Sequence, residues 1–310
     1  EDYLSHHVEH VLALELVNRE AIAAAGLRVG VDAVNSVGGS YVPALLRVLG
    51  VEVHELYCEP TGYFPHNPEP LPAHLTDLRE LVRSQQLDLG IVVDPDVDRL
   101  AFVSEDGEVF GEEYTLVAVA DYVLQHRPGP VVTNLSSSRA LRDVAQRHGQ
   151  PHHAAAVGEA NVVAKMKEVK AVIGGEGNGG VIDPAAHYGR DALVGIGLFL
   201  SHLATCGQPA SVLRQNYPDY AMTKAKIALD PAMDLEAVLE ALAAEHQGQT
   251  LSRVDGVKID FADSWVHLRK SNTEPIVRIY TEAPTQAAAE QRASDYQAHL
   301  KRIAEAVAAC

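Results

Sequence analysis

The 310-residue chain has little of three things: long apolar runs, cysteine and basic charge. No apolar run reaches the roughly 18 residues that a membrane-spanning helix needs, so we expect no membrane partner. The 25 Lys and Arg against 42 Asp and Glu give a net charge of −17, which disfavours nucleic acid and anionic membranes as partners. A phosphorylated small molecule remains compatible with this charge, because a few local basic side chains can overcome a diffuse acidic field.

The three cysteines, Cys58, Cys206 and Cys310, are widely spaced and odd in number. They form neither a CxxC pattern nor a disulfide framework, which favours a reducing, cytoplasmic setting. The 15 histidines are scattered and contain no HExxH motif, so they indicate no metal cluster of their own. Nothing in the composition indicates the oligomeric state.

The order of predicted strands and helices divides the chain into three parts. After an amphipathic helix at 3–18, strands alternate with helices up to about residue 110, which predicts a parallel sheet with covering helices. A second alternation occupies 111–220 and ends in Gly207–Tyr220, a candidate linker. From residue 221 onward, four strands are accompanied by two long helices, which is typical of an α+β domain.

The most informative segment reads Asp-Pro-Asp-Val-Asp-Arg and begins directly after the β-branched run Ile91–Val93. That run predicts a buried strand, and Pro95 keeps the residue before it out of the helical region. The segment is therefore a loop at the carboxyl end of a strand, where open α/β sheets bind ligands. Three carboxylates brought together need a cation, and oxygen ligands suit Mg²⁺, while the adjacent guanidinium suits a phosphate. These candidate residues are Asp94, Asp96, Asp98 and Arg99.

Three other interpretations of this segment are weaker. An EF-hand would use Glu105 at its twelfth position, but Arg99 stands where that loop needs a glycine. A phosphatase that forms an aspartyl-phosphate would have Thr or Val where Asp98 stands. A solvated acidic turn needs only one or two aspartates, and it does not explain the arginine behind a buried strand.

A glycine-rich loop at Gly174–Gly180 forms a second candidate site. Its only functional side chains are Glu176 and Asn178. A carboxylate and an amide can bind two vicinal sugar hydroxyls, or a hydroxyl and an amine, by pairing acceptors with donors. The alternative is a plain turn after a strand.

A third candidate site is the segment Arg269–Pro275 together with Arg278. Guanidinium, hydroxyl and main-chain N–H donors at this density suit a phosphate dianion. A hairpin turn with a solvated basic edge is the alternative, and it does not explain two arginines in an acidic protein. The candidate phosphate-binding residues are Arg269, Ser271, Asn272, Thr273 and Arg278.

The three segments occur in the order found in the α-D-phosphohexomutase superfamily, which the chain resembles from end to end. Gly-Glu-Gly-Asn-Gly-Gly, the stretch His187–Asp191 and Ser-Asn-Thr-Glu-Pro are most similar to its bacterial phosphoglucosamine mutase branch. The resemblance implies an α/β fold: two consecutive α/β/α domains with mixed, mostly parallel sheets, at 1–110 and 111–220, then a C-terminal α+β domain at 221–310.

The resemblance also implies a function. A phosphoserine would transfer its phosphoryl group to a phosphosugar, with hexose 1,6-bisphosphate as activator or intermediate. Mg²⁺ would be held by the three aspartates, and Arg99 would orient the phosphoserine. Substrate would be bound by Glu176, Asn178 and Arg190, and the non-reacting phosphate by the third segment.

The sequence departs from the family pattern in the loops and in the nucleophile. Val97 and Asn272 stand where the family usually has glycine; Asn tolerates a left-handed backbone, whereas Val97 must be extended or strained. The family's Thr-Ala-Ser-His-Asn-Pro-like loop is not found in the 310 residues, and Pro65 precedes the similar His66-Asn67-Pro68 where that loop has its serine. We therefore expect a first α/β domain of about 100–150 residues to lie outside this sequence, and the chain alone to be catalytically incompetent.

Overall fold

The computed structural model describes residues 3–228, 234–271 and 276–308. Contacts between Cα atoms divide the chain into two compact units. Unit 1 is Glu1–Ala154 with Gly158–Pro218, and unit 2 is Ala155–Val157 with Asp219–Cys310. Within the described residues, no helix is both long enough and apolar enough to cross a membrane.

The first sheet belongs to the N-terminal half of unit 1. Its elements are α1 (Tyr3–Leu12), α2 (Arg19–Ala25), β1 (Arg28–Asp32), α3 (Gly38–Val48), β2 (Glu52–Leu56), a single 3₁₀ turn (Pro72–His74), α4 (Thr76–Ser84), β3 (Leu89–Val93) and β4 (Leu100–Ser104). The strand order is β2-β1-β3-β4. The first three strands are parallel, and β4 returns antiparallel to β3.

Two glycines in this sheet make room for helix α4. Gly30 of β1 and Gly90 of β3 are partners in register. A Cβ at either position would lie 3.1–3.3 Å from side-chain atoms of Leu78 in α4. The helix therefore packs directly on the strand backbones. Every residue of β3 is buried, so the loop after β3 starts from a fixed point.

The second sheet follows in the same unit. Its elements are α5 (Glu112–His126), β5 (Val131–Asn134), α6 (Ala140–Arg147), β6 (His152–Ala155), α7 (Glu159–Val169), β7 (Ile173–Glu176), β8 (Gly180–Ile182), α8 (Ala192–Cys206) and α9 (Ala210–Gln215). The strand order is β6-β5-β7-β8. Strands β5 and β7 are parallel, and β8 is antiparallel to β7.

Helix α8 lies between the two sheets and is buried along most of its length. Its N-terminus is capped by Asp191, whose carboxylate accepts the N–H groups of Leu193 and Val194. Phe199 of α8 stacks on Phe102 of β4, with ring centroids 3.8 Å apart. The two sheets of unit 1 therefore share one core, which explains why they form a single compact unit.

Unit 2 is built on an antiparallel sheet. Its elements are β9 (Ala221–Ala228), α10 (Leu235–Glu245), β10 (Thr250–Ser252), β11 (Val257–Asp260), β12 (Trp265–Lys270), β13 (Ile276–Ala283) and α11 (Gln286–Ala308). The strand order is β10-β11-β12-β13-β9, and every neighbouring pair is antiparallel. Leu242 of α10 and Leu300 of α11 join one hydrophobic core with Ile279 and Val266 of the sheet.

The fold class expected from the sequence is confirmed, while several local expectations are wrong. The opening helix ends at Leu12 rather than at residue 18, and α2 follows it. Strand β4 was not predicted, because four apolar residues and a serine behind a loop give no periodic signal. Gly207–Tyr220 is no linker, since it contains α9 and buries Leu213 and Tyr217.

Candidate active site

The acidic loop between β3 and β4 is organised by its first carboxylate. Asp94 is buried at the end of β3, and its Oδ1 accepts the main-chain N–H groups of Asp98 (3.1 Å) and Arg99 (2.9 Å). The loop therefore closes on itself, and one carboxylate oxygen each from Asp94, Asp96 and Asp98 comes within 4.8 Å of the others. The structure thus brings the three predicted metal ligands together.

Val97 at the centre of this loop has a φ of +60°. The extended conformation that the sequence allowed is therefore wrong, and the strained one is present. A β-branched residue in the left-handed region is a true outlier, because its side chain crowds the following carbonyl group. The loop keeps the glycine-like backbone although it has lost the glycine.

The charges in this loop favour a bound cation. Burial raises the pKa of Asp94 to about 7; the negative charges of Asp98 and Asp96 add to the rise, and the hydrogen bond from the Arg99 N–H opposes it. Among the described residues, Oδ1 of Asp98 is buried and accepts no hydrogen bond. A divalent ion would ligate that oxygen and relieve the repulsion, so the residues fit a hard cation such as Mg²⁺.

Arg99 extends from the same loop with weak ion pairs. Its Nε lies 3.4 Å from Oδ2 of Asp94 and 3.8 Å from Oδ1 of Asp98. Its Nη1 lies 3.5 Å from Oε1 of Glu69, which lies between β2 and the 3₁₀ turn. The guanidinium is thus placed beside the carboxylates without being tightly held, which leaves it able to bind an anion.

The glycine-rich segment is a hairpin rather than the predicted loop over Gly174–Gly180. Gly174 and Gly175 belong to β7, Gly180 opens β8, and only the three residues between Glu176 and Gly180 form the turn. A Cβ on Gly174 would lie 2.6 Å from Sδ of Met166, so this glycine serves close packing with α7. Asn178 lies in the turn, where its Oδ1 accepts the N–H of Gly180 at 3.2 Å.

Glu176 is buried at the end of β7, with only 4% of its surface exposed. Its Oε1 accepts hydrogen bonds from Nδ2 of Asn134 (2.7 Å) and the N–H of Gly158 (3.0 Å). Ser137 supports the following residue, because its Oγ accepts the Gly177 N–H at 2.9 Å. The carboxylate is therefore fixed in one orientation, with its Oε2 paired to the guanidinium of Arg190.

Arg190 joins the two loops. Its Nη1 lies 3.0 Å from Oε2 of Glu176, and its Nη2 donates to Oδ2 of Asp98. Glu159 at the start of α7 completes the surroundings: its Oε1 accepts the Arg190 main-chain N–H (2.8 Å), and its Oε2 lies 3.5 Å from Nε. The predicted substrate-binding arginine is thus surrounded by three carboxylates.

Two main-chain hydrogen bonds connect each of these two loops to a neighbouring element. The N–H of Leu100 donates to the carbonyl of Gly179, and the N–H of Ala192 donates to the carbonyl of Val97, each at 3.0 Å. One bond joins β4 to the hairpin turn, and the other joins the acidic loop to the first residue of α8. The spatial relation of the two loops is therefore set by backbone as well as by ion pairs.

The predicted phosphate-binding segment lies in unit 2, at the β12–β13 hairpin. Arg269 and Arg278 are cross-strand partners, and the Ser271 N–H donates to the Ile276 carbonyl at 3.0 Å. Neighbouring side chains on one sheet face give two guanidinium groups beside the hairpin end. Asn272 and Thr273 lie outside the described residues.

Sequence reasoning missed the residues that support Glu176 and Arg190. Asn134 ends a strand, Glu159 opens a helix behind Gly158, and Glu113 in the first turn of α5 accepts the N–H of Ser138 at 2.8 Å. A signal was available, because each is a polar residue at the same edge of the second sheet. The side chains of Ser136, Ser137 and Ser138, at the same edge, are buried.

Each of the three parts of the chain matches a domain model of one known protein family. Family models of phosphoglucomutase/phosphomannomutase match as α/β/α domain II at residues 2–107, α/β/α domain III at 111–220 and the C-terminal domain at 222–299. The fold and the paired loops thus define a phosphohexomutase-type protein, as the sequence resemblance indicated. The chain belongs to the phosphoglucomutase/phosphomannomutase family.

Individual relatives agree with this assignment. A probable phosphoglucosamine mutase of Methanopyrus kandleri is 32% identical over 310 residues, covering 99% of this chain and 68% of the relative. A phosphoglucomutase/phosphomannomutase of Thermococcus kodakarensis is 35% identical over 312 residues, covering 99% of this chain and 67% of the relative. The crystal structure of a phosphoglucomutase/phosphomannomutase family protein from Burkholderia thailandensis matches with a TM-score of 0.84 at 28% identity. The match covers 97% of this chain and 65% of that protein. The chain spans about two thirds of the length of these proteins.

Proposed function

We propose that this chain carries the metal-, sugar- and phosphate-binding parts of a phosphoglucosamine mutase, which interconverts glucosamine 6-phosphate and glucosamine 1-phosphate. The observation that supports the proposal most is that Asp98 and Glu176 contact the same guanidinium, that of Arg190. This contact puts a cation site beside a carboxylate able to accept sugar hydroxyls. Phosphoryl transfer to a sugar hydroxyl needs both at one place.

In the proposed reaction, a phosphoserine gives its phosphoryl group to the free hydroxyl of the sugar phosphate. The serine O–P bond breaks as the sugar O–P bond forms, and the hydroxyl proton is released. The resulting hexosamine 1,6-bisphosphate reorients, and its other phosphoryl group returns to the serine. Bound Mg²⁺ would supply neutralisation of charge on the transferring group.

The chain's own residues would bind and orient the reactants. Asp94, Asp96 and Asp98 would hold the metal, and Arg99 would orient the phosphoserine. Oε2 of Glu176 and the amide of Asn178 would bind hydroxyls in both orientations of the bisphosphate, and Arg190 would orient Glu176. Unit 2 would bind the phosphate that is not reacting, through Arg269, Ser271, Asn272, Thr273 and Arg278.

The test is an assay of glucosamine 6-phosphate conversion with Mg²⁺ and a trace of hexose 1,6-bisphosphate. It compares the 310-residue chain with a version extended through the native upstream gene sequence. Activity only in the longer protein, lost in its Asp98→Asn variant and kept in Asp106→Asn outside the loop, supports the proposal. Turnover by the 310-residue chain itself would place the phosphoryl donor within it and contradict the assignment to an upstream serine.

A second candidate is a phosphomannomutase or phosphoglucomutase, which the name of the Thermococcus relative at 35% identity favours. Glu176 and Asn178 do not by themselves distinguish an amine from a hydroxyl at C2. Faster conversion of mannose or glucose phosphates by the longer protein would select this candidate. Inactivity with every sugar phosphate, together with measurable binding, would select a non-catalytic phosphosugar-binding protein instead.

Two further parts of the proposal concern organisation and location. We retain a division into domains at 1–110, 111–220 and 221–310, supported by one sheet in each part. We place the reaction in the cytoplasm, supported by the unpaired thiols of Cys58 and Cys206. Limited proteolysis would test the boundaries: we expect the first cleavage near 220, where unit 1 ends, and cleavage near 110 only later, because Phe110 is buried.

A further inference from the structure

We infer that Arg190 is the resident counter-cation of the acidic loop and sets how tightly that loop binds a divalent ion. The inference rests on the proposed metal role of Asp94, Asp96 and Asp98. It gives Arg190 a function apart from contact with substrate. It also makes the affinity for metal depend on a residue outside the acidic loop.

The contact between Arg190 and Asp98 is largely shielded from water. Only 14% of the Arg190 side chain and 19% of the Asp98 side chain are exposed. Charges in such a place are weakly screened, so the guanidinium compensates much of the charge of Asp98 before any metal arrives. Oδ2 of Asp98 is occupied by this contact, while Oδ1 accepts no hydrogen bond among the described residues.

A metal ion that binds Oδ1 of Asp98 therefore meets two obstacles. The carboxylate has already been neutralised in part, and the guanidinium repels a second cation held by the same group. Arg99 contributes less to both effects, because its Nε is 3.8 Å from Asp98 and 31% of its side chain is exposed. Arg190 is thus the residue whose charge opposes metal binding most directly.

Arg190 has other anchors when a metal takes Asp98. Its Nη1 already lies 3.0 Å from Glu176, and its Nε lies 3.5 Å from Glu159. A metal that weakens the Asp98 contact shifts the guanidinium toward these two carboxylates. Occupancy of the metal loop is thereby communicated to Glu176, the proposed hydroxyl acceptor, and by linkage a ligand on Glu176 changes the affinity for metal.

The test is calorimetric titration of MgCl₂ into the full 310-residue chain and its Arg190→Met variant. We expect the variant to bind Mg²⁺ about tenfold more tightly, since a like charge has been removed from a weakly screened site. Without Mg²⁺, the variant should also melt at a lower temperature than wild type. Adding Mg²⁺ should raise the melting temperature of the variant more than that of wild type. Arg190→Lys keeps the charge but cannot bridge carboxylates, so its affinity for Mg²⁺ should fall between the two.

The matched control is Arg127→Met. Arg127 donates to both oxygens of the buried carboxylate of Asp183, which is not part of the acidic loop. Removing it should lower the melting temperature and leave the Mg²⁺ affinity unchanged. Equal Mg²⁺ affinity in wild type and Arg190→Met would overturn the inference and leave the proposed metal site standing. No Mg²⁺ binding by either protein would overturn the metal site and the inference together.

A double-mutant cycle tests the link to Glu176. In the wild-type background, Glu176→Gln leaves Arg190 more firmly on Asp98, so the Mg²⁺ affinity should fall. In the Arg190→Met background, the same substitution should change the affinity less. An equal change in both backgrounds would show that Glu176 acts on the metal by its charge alone, and would overturn the communication through Arg190.

Discussion

Asn134 at the end of β5 donates from Nδ2 to Oε1 of Glu176 at the end of β7, across 2.7 Å. Its own Oδ1 accepts from the N–H of Ser136 and the hydroxyl of Ser137, so it is oriented in turn. Asn134 is therefore a positioning residue for the proposed hydroxyl acceptor, supplied by a neighbouring strand.

Asn134→Ala should weaken the binding of glucosamine 6-phosphate and lower stability by about 1–3 kcal/mol, because buried donors and acceptors lose their partners. Mg²⁺ affinity should change less than the affinity for the sugar phosphate, since Asn134 reaches the acidic loop only through Glu176 and Arg190. Calorimetric titrations with each ligand separate the two effects. Asn216→Ala removes an exposed hydrogen bond from the Asn216 side-chain amide to Gln208, and it should alter neither affinity.

Gly179→Ala should disrupt both loops at once. Gly179 has a φ of +94°, and a Cβ there would lie 2.4 Å from the carbonyl oxygen of Leu100. Because the obstructing atom is backbone, relief requires the hairpin and β4 to separate, at a cost of about 2–4 kcal/mol. Urea unfolding would measure the loss, with Gly248→Ala, where an added Cβ meets nothing within 4 Å, as the control. Retained stability in Gly179→Ala would contradict the close approach.

Val97→Gly should leave the protein nearly as stable as wild type, whereas Val97→Ala should be less stable. Glycine removes left-handed strain of about 1–2 kcal/mol, which offsets the lost side-chain contacts and the extra freedom of the unfolded chain. Alanine loses contacts, among them those of Cγ2 near Gly38, and keeps the strain. Denaturant midpoints of the three proteins decide the order, and a glycine variant less stable than the alanine variant would refute the argument.

Mg²⁺ affinity should fall in acid. The pKa of Asp94 is raised to about 7, so below that pH the metal must displace a proton from this carboxyl group. We expect an affinity that is nearly constant above pH 8 and decreases by up to about tenfold for each pH unit below 7. Titrations between pH 5.5 and 8.5 measure the profile. A flat profile over that range would show that Asp94 is already ionised or does not bind the metal.

His187 should stabilise the fold most below neutral pH. Its hydrogen bond to Asp191 raises its pKa, and the two histidines on that carboxylate, His187 and His7, help to lower the pKa of Asp191 against the effect of burial. Because the pKa of His187 is raised in the folded protein, its contribution to stability is fully present below its ordinary pKa. That contribution is lost as the pH rises through its pKa in the folded protein. Because the pKa of Asp191 is lowered, its contribution to stability is fully present above the ordinary pKa of a carboxyl group. The pair therefore stabilises the fold most between about pH 4 and 6.5.

The stability difference between wild type and His187→Gln should therefore be larger at pH 6 than at pH 9. Thermal melts across this range would measure it. His6→Gln, which replaces an exposed histidine of α1, should show a difference that does not vary in this way. A His187 difference independent of pH would mean that the ring acts only through packing.

The sequence predicted the acidic loop because its signals are local. A β-branched run, Pro95 and alternating aspartates all lie within nine residues of one another. The partners of Arg190 could not be predicted in this way, since Asp98 is 92 positions and Glu176 is 14 positions distant in the chain. Their proximity depends on how two sheets share the core around α8, which no local pattern encodes.

Glycine was the most ambiguous signal in the chain. In Gly174–Gly180 it predicted a loop, but the glycines of β7 are needed for close packing, and only the residues between Glu176 and Gly180 turn. Val97 is the converse case: its branched side chain allowed either an extended or a strained backbone, and the loop has the strained one. In both places the backbone conformation depends on hydrogen bonds and packing with other residues, so residue type alone was a poor guide.

The main-chain bonds from Leu100 to Gly179 and from Ala192 to Val97 have a consequence for how such proteins diverge. Backbone donors and acceptors survive a change of side chain but not an insertion or deletion, which moves every later peptide group. The two loops can therefore exchange side chains at positions other than Gly179 and the three aspartates, but they are restricted in length. A recombinant protein that joins the first sheet of one relative to the second sheet of another should keep its site only when both parents have loops of equal length.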